Sequence, residues 1–392
     1  MRLRGEHIRV AGVGMTDHSR RDMSAGEMAV QAAREALSDA GLEAKSIPLV
    51  VVSNALGGSL CEQECIRGQS WLGKIGLEGA GVLNVDNACA GGVSAIHLAA
   101  LAAVAGQHPV LAVGVEKMWT GSRDRTICAI EEALPAWERE EKRATIGANP
   151  ARSVFMGLNA KWARDLLASG ETTREHLAAA AAKARRHGAL NPLAQVRSRI
   201  EASEILDAEV VADPLTRPMC SSFTDGAAAA VLTPKRVKGA PKLLASVLVS
   251  GDGSSEYHRR MGEAAKVAYE EGNYGPDELD VVEIHDATSA EELLALEALG
   301  FYPEGKAGIA TLHGDTSLGG HGVTVNPSGG LVARGHPIGA TGLSQLVELT
   351  HQLRGTAGVR QVSNARLAML VNTGGIIGED VGAAGVVVLG RS

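Results

Sequence analysis

The feature that most constrains this chain is that its pattern of elements occurs twice. Near the start a short apolar run, "IRVAGVG", leads through a charged loop to the helix-patterned "SAGEMAVQAAREALSDAGL" and on to "PLVVVSNA". From Lys242 the order recurs as "KLLASVLVSG", a charged loop, "MGEAAKVAYEEG" and "LDVVEIHDA". "GVSAIHLAALAAVAG" followed by "PVLAVGVEK" has a counterpart in "GATGLSQLVELTHQLRG" followed by "LAMLVNTGG", and "DGAAAAVLTPKRV" is echoed by "VGAAGVVVLGRS". Chance can supply one echo; four in the same order point to two copies of one α/β unit.

The strands of that unit read as continuous apolar runs ("VLAVGV", "LVVVSNA") rather than as alternating patterns, so both faces of each sheet should be covered by helices. The expected architecture is five layers, two sheets enclosing a shared pair of helices. Residues 119–204 have no counterpart in the second copy, and their charged stretches ("EREEKR", "KARRHGALNPLAQVRSRIEA") predict an inserted, mostly helical loop domain. The boundaries are then 1–118 with 205–238 for the first half, 119–204 for the insertion and 239–392 for the second half.

Composition narrows the function. With 392 residues and 45% hydrophobic content the chain can bury a large core. A net charge of -7 argues against nucleic acid or an anionic membrane, either of which would favour a basic face. Aromatics reach only 3% while glycine numbers 48, which suits helices pressed closely onto sheets. Five cysteines, an odd number, fit reduced thiols. No run approaches the roughly 18 apolar residues of a membrane span, and no signal or peroxisomal address is read, so the expected location is cytoplasmic.

Three stretches carry chemistry. Cys89, in "NVDNACAGGVSAIHLAALAAVAG", sits between a strand-like run and a helix beginning near Gly91. Free N–H groups and the positive end of the helix dipole there would stabilise a thiolate, and the glycines would let a substrate carbonyl reach the backbone. A buried cysteine otherwise behaves as a small hydrophobe, which needs none of this setting. His336, in "VNPSGGLVARGHPIGATG", lies in a glycine-rich loop able to present an imidazole to a thiol as its base. His285, in "VVEIHDATSAEELLALEALG", stands at a strand end, where α/β proteins place working groups, and could donate to a thioester oxygen. Asp286 beside it is expected to be a helix N-cap.

Together these stretches resemble the thiolase superfamily over nearly the whole chain, and most closely the sterol-carrier-protein type of thiolase (acetyl-CoA acetyltransferase-like), whose His-Asp pair corresponds to His285 and Asp286. "NACAGG" matches the nucleophile motif, "NPSGGLVARGHPIGATG" the catalytic-histidine motif and "TDGAAAAVL" the close of the first half. The resemblance implies the thiolase fold, two duplicated βαβαβαββ halves forming a five-layer αβαβα sandwich with an inserted helical loop domain. It implies a thiolase-type acyl-CoA C-acyltransferase: thiolytic cleavage of a 3-oxoacyl-CoA by CoA, or the reverse Claisen condensation, through acyl-Cys89. His336 would activate Cys89, His285 would line the oxyanion hole for the enolate, and backbone N–H groups near Cys89 and Gly375 would bind the other oxyanion. Met156 and Gly157 fall where the family's loop domain meets the pantetheine arm. No cofactor is implied, CoA being a substrate, and no metal. A homodimer pairing through the first-half sheet is implied, with a small OB-fold, zinc-binding protein as a further partner.

One departure matters. Thiolases use a second cysteine as acid/base, either in a Cys-x-Gly motif near the C-terminus or directly after the His-Asp pair; here those places hold "VNTGG" (Val371 to Gly375) and Ala287. Water, His285, His336 or an unusually stable leaving carbanion would have to serve instead. The same gap leaves alternatives: a retro-aldolase or decarboxylating condensing subunit acting on CoA esters with an OB-fold partner, or a non-catalytic acyl-CoA-binding scaffold. Cys61 and Cys65 lack a second pair for a structural zinc site. Cys128 and Cys220 read as structural, with the alternative that one of them enters the site, His321 as a solvated loop residue, and "KARRHGALNPLAQVRSR" as a solvated helix face that could also meet the CoA phosphates.

Overall fold

The structure is a computed structural model that describes residues 2–4, 8–146 and 153–392. The first half supplies β1 (Arg9–Met15), α1 (Ala25–Ala40), β2 (Leu49–Ser53), β3 (Gly81–Val85), α2 (Gly91–Val104), β4 (Val110–Glu116) and β5 (Gly226–Thr233). The insertion between β4 and β5 carries α3 (Val154–Ala168) and α4 (Arg174–Leu190) among shorter helices. The second half supplies β6 (Lys242–Ser250), α5 (Tyr257–Gly272), β7 (Val281–Glu283), α6 (Ser289–Ala298), β8 (Thr324–Val325), α7 (Thr341–Arg354), β9 (Leu367–Ile377) and β10 (Asp380–Gly390).

The duplication is written into the strand order. The first sheet runs β1-β5-β4-β2-β3 and the second β6-β10-β9-β7-β8, so each half arranges its five strands as first, fifth, fourth, second, third. Parallel and antiparallel pairings repeat as well: β2 is parallel to β3 and β4, as β7 is to β8 and β9. The two sheets meet where Arg9 of β1 pairs with Lys242 of β6. The class is α/β, with the five-layer order of the thiolase fold.

Each layer follows from its residues. α1 starts at a reciprocal cap, in which the Glu27 N–H donates to Ser24 Oγ (3.2 Å) and the Ser24 N–H to the Glu27 carboxylate (2.8 Å). It ends at Gly41 in the left-handed region, φ 65°. Its buried face of Met28, Ala29, Ala32, Ala33 and Ala36 covers the outside of the first sheet. α2 buries residues around most of its circumference (Val93, Ala95, Ile96, Ala99, Ala100) because it and α7 lie between the two sheets. α5 and α6 cover the outside of the second sheet together with α4. β3 departs from the expectation that strands are covered on both faces. It is an edge strand, most of its residues are partly or fully exposed, and Leu83 is 49% exposed. Its counterpart β8 is buried.

The two central helices touch backbone to backbone. A Cβ on Gly92 would lie 2.8 Å from the Gly342 nitrogen, and one on Gly342 would lie 2.4 Å from the Val93 nitrogen. Ridges of larger side chains would hold such helices about 8–10 Å apart. Gly92→Ala is therefore expected to overpack the crossing and cost roughly 1–3 kcal/mol. A guanidinium unfolding curve checks this, with a lower midpoint at unchanged slope as the expected outcome.

Candidate active site

The site forms at the heads of α2 and α7, the equivalent helices of the two halves. The nucleophile loop is held by its own side chains. The Ala88 N–H donates to Asp86 Oδ1 (2.9 Å), Asn87 Nδ2 donates to Ser94 Oγ (2.8 Å), and the Ser94 hydroxyl donates to the Ala90 carbonyl (2.8 Å). Ala88 sits at φ 47°, a conformation that an L-residue adopts only when its surroundings impose it. On the far side lies Gly374 of β9, where a Cβ would come within 2.6 Å of the Cys89 nitrogen. Only glycine admits so close a strand.

The histidine loop is anchored from below by two buried acids. Arg334 Nη1 pairs with Glu283 at 3.0 Å, both side chains fully buried, and the Ser328 hydroxyl donates to the same carboxylate (2.7 Å). Glu116, the last residue of β4, accepts from the N–H groups of Ala55 (3.0 Å), Leu56 (3.1 Å) and Gly339 (3.0 Å) and from Asn54 Nδ2 (2.7 Å). Burial pushes the Glu116 carboxyl up to about 7, against those backbone bonds, which hold it down. Neither acid was legible as part of a site, since each reads as a strand-end charge.

These anchors bring His336 Nε2 to 3.3 Å from Cys89 Sγ across a sequence separation of 247 residues. The other ring nitrogen, Nδ1, lies 2.7 Å from Thr341 Oγ1, whose own proton goes to the Pro337 carbonyl (3.1 Å). Thr341 must accept, so Nδ1 carries the proton and Nε2 is free to take one from the thiol. The second imidazole is set the opposite way. Asn372 Nδ2 donates to His285 Nδ1 (3.0 Å), which leaves the His285 proton on Nε2 as a donor. The His285 and His336 rings stand 5.0 Å apart and nearly perpendicular, 87°.

Burial keeps the whole set neutral. It pushes the Cys89 thiol up to about 12, with the carboxyls of Glu291 and Glu116 adding to the effect. It draws His285 down to about 3 and His336 well below its ordinary value, with the Arg334 guanidinium acting on both. The stabilised thiolate expected from the helix terminus is thus not the resting state, because α2 begins only at Gly91 and desolvation outweighs the pull of its terminus. The proton leaves during attack, with His336 as general base. Cys89 Sγ and one nitrogen from each of His285 and His336 lie within 4.8 Å of one another; among the described residues this is the group with metal-ligand chemistry. Within that group Cys89 Sγ and His336 Nε2, 3.3 Å apart, are at hydrogen-bond distance.

These groups open into a cavity of about 970 Å³ roofed by the insertion. Gly375 (φ 69°) lines it beside Gly374, at the point where the β9–β10 register passes from Gly374 opposite Ala383 to Ile376 opposite Val381. Met156 of α3 lines it; Gly157 does not. Cys220, expected to be structural, also lines it, its thiol 3.4 Å from the Thr216 carbonyl. Asp286 does not cap α6, whose N-cap is Thr288; it accepts from the Leu331 N–H (2.7 Å) in the histidine loop instead. The basic run is solvated only in part: Lys183 is fully buried against Glu292 (2.7 Å) and His187 is buried, bonding the Asn326 carbonyl (3.0 Å), while Arg186, Arg197 and Arg199 are exposed. His321 is exposed, as are Cys65 and Cys128.

Comparison with known proteins places this arrangement. A thiolase N-terminal domain matches residues 8–236 and a thiolase C-terminal domain-like unit residues 253–391. Sterol carrier protein 2 of Oryctolagus cuniculus is 34% identical over 97% of this chain and 71% of that protein. Acetyl-CoA acetyltransferase of Methanothermobacter thermautotrophicus is 34% identical over 94% and 96%, and benzoylsuccinyl-CoA thiolase subunit BbsB of Thauera aromatica 31% identical over 94% and 94%. Among solved structures the Ltp2-ChsH2(DUF35) aldolase superposes with a TM-score of 0.80 at 19% identity, covering 99% of each chain. Human mitochondrial 3-ketoacyl-CoA thiolase gives 0.72 at 17%, also over 99% of each. A thiol activated by an imidazole at the head of two duplicated α/β units is the machinery of acyl transfer through cysteine. The chain belongs to the thiolase family, and its activity is acyl-CoA C-acyl transfer.

The hydroxyl that orients His336 gives the test. Thr341→Val removes the acceptor for Nδ1–H, and losing that buried bond should slow iodoacetamide alkylation of Cys89 roughly tenfold at an unchanged circular-dichroism spectrum. Peptide mass mapping of the alkylated thiol checks it.

Proposed function

We propose that this enzyme cleaves a 3-oxoacyl-CoA with CoA, or runs the reverse condensation, through an acyl group carried on Cys89. The observation that carries the reading is the 3.3 Å Cys89–His336 pair with the His336 tautomer fixed to accept. Cys89 attacks the keto carbon as His336 takes its proton. His285 Nε2–H and the backbone beside Gly375 face the oxygens on which charge develops, where donors held away from water act most strongly. The C2–C3 bond breaks and acyl-CoA departs by way of its enolate. CoA then removes the acyl group from Cys89. Met156 and the arginines at the cavity mouth, Arg20, Arg123 and Arg217, would meet the pantetheine arm and the phosphates.

The cavity also contains Tyr257, and this favours a second reading, retro-aldol cleavage of a CoA ester in complex with an OB-fold partner; the aldolase among the structural neighbours carries a DUF35 partner in its name. That reaction needs no acyl-cysteine. We assign the chain to the cytoplasm and propose that it pairs as a homodimer along β3, whose exposed edge and Leu83 offer a second copy a strand to add to.

Intact-protein mass spectrometry decides between the two reactions. Acetoacetyl-CoA, 3-oxohexadecanoyl-CoA and 2-benzoylsuccinyl-CoA are each mixed with wild type and Cys89→Ala. The expected outcome is an acyl-sized mass gain with at least one of them, absent in Cys89→Ala and discharged by CoA. Carbon–carbon cleavage that survives Cys89→Ala would instead support the aldolase reading. For the assembly, Leu83→Arg should convert the dimer to monomer in sedimentation equilibrium.

A further inference from the structure

The site as described lacks a group to protonate the departing enolate. The two places where a thiol would stand hold Ala287 and the Val371–Gly375 segment. Yet the cavity contains an acid that the mechanism has not used. Glu291, in the first turn of α6, is 2% exposed and lines the same cavity as Cys89, His285 and His336. Its carboxylate turns back by one helical turn and accepts the N–H of Ala287 at 3.1 Å, so the carboxyl stands at the very residue where the thiol is missing. Beside it the hydroxyl of Tyr257, which lines the same cavity, donates to Thr373 Oγ1 (2.8 Å), next to the Gly374 that packs on the Cys89 backbone. A carboxyl buried without a cation beside it is expensive unless it is protonated or functional.

Resting on the acyltransferase reading above, we propose that Glu291 is the acid/base of the reaction, taking the place of the absent second cysteine. When the C2–C3 bond breaks, its electron pair passes to C2 as the enolate, and the Glu291 carboxylic acid gives C2 its proton. The resulting carboxylate takes the proton of the incoming CoA thiol. The CoA sulfur then attacks acyl-Cys89, and the departing Cys89 sulfur recovers its proton from His336. In condensation the same carboxylate removes the α-proton.

The electrostatics agree with this role. Burial pushes the Glu291 carboxyl up to about 8, against the Ala287 N–H and the Tyr257 hydroxyl. The group therefore carries its proton at neutral pH and loses it as pH rises through about 8. The titratable groups facing it are Tyr257 from α5 and Cys89, His285 and His336 from the site loops. α3 meets the start of α6 through uncharged Asn159, 2.7 Å from Thr288, and Lys183 of α4 is taken by Glu292. In the short helix Ala307–His313 that packs on α6, His313 is exposed.

The test is single-turnover formation of acyl-Cys89, by quenched-flow mass spectrometry with the three 3-oxoacyl-CoA esters above, in wild type, Glu291→Gln, Glu291→Asp and Cys220→Ala. Wild type should form the adduct at a rate that falls as pH rises through about 8. Glu291→Gln keeps an acceptor for the Ala287 N–H but has no proton to give. It should lose about 100-fold or more in rate, together with the alkaline limb. Glu291→Asp should restore part of both. Alkylation of Cys89 by iodoacetamide at pH 7 should match wild type within about twofold in all three variants, as a folded Cys–His pair requires. A Glu291→Gln enzyme with the wild-type rate and pH profile overturns the inference alone. So does loss of the limb in Cys220→Ala, which would move the role to that thiol. No adduct in wild type with any ester overturns the acyltransferase reading, and the inference with it.

Discussion

Everything at this site depends on the backbone contact between α2 and α7. Cys89 precedes the first of these helices by two residues, and His336 precedes the second by five. The separation of thiol and imidazole is therefore set by how closely the two helix heads approach. Glycine at positions 92 and 342 lets them meet without intervening side chains, and Gly374 lets β9 close on the nucleophile loop from the other side. The duplication gives this contact its geometry, because two copies of one unit present equivalent loops to each other across the axis between them. The insertion then roofs a cavity that neither half could enclose alone.

Inside that contact the governing physics is desolvation. Burial raises the thiol and the carboxyls and lowers the imidazoles, so the resting site holds a neutral Cys89–His336 pair rather than an ion pair. A neutral pair poised for transfer is protected from adventitious alkylation and oxidation, since the thiolate is the reactive species. It also makes the fixed tautomers decisive. Thr341 makes His336 an acceptor and Asn372 makes His285 a donor, and exchanging the two settings would leave a base unable to take a proton and an oxyanion site without a donor. The buried acids Glu283 and Glu116 hold these loops in place from outside the cavity, each satisfied by several donors as a buried carboxylate must be.

Much of this could be read from the chain. The α/β class and the two copies of one unit follow from apolar runs and helical patterns that recur in order. Cys89, His336 and His285 stand out because the glycines and the strand-to-helix junctions around them lie beside them in sequence. What could not be read lay elsewhere. Glu291 looks like an acid on an amphipathic helix and Tyr257 like an isolated aromatic. Thr341 and Asn372 carry no local mark at all. Asp286 has the sequence position of a cap for the helix just after it, whereas it caps a turn 45 residues away.

The unit, its repetition and the loops that carry the chemistry are legible along the chain, because strand and helix periodicity and turn residues act over a few neighbouring positions. The protonation states, the tautomers and the choice of acids that face the cavity come from packing. Those depend on burial and on partners brought together from up to 247 residues apart. No local pattern specifies a contact of that range. It is the packing of two helices at their glycines that produces it.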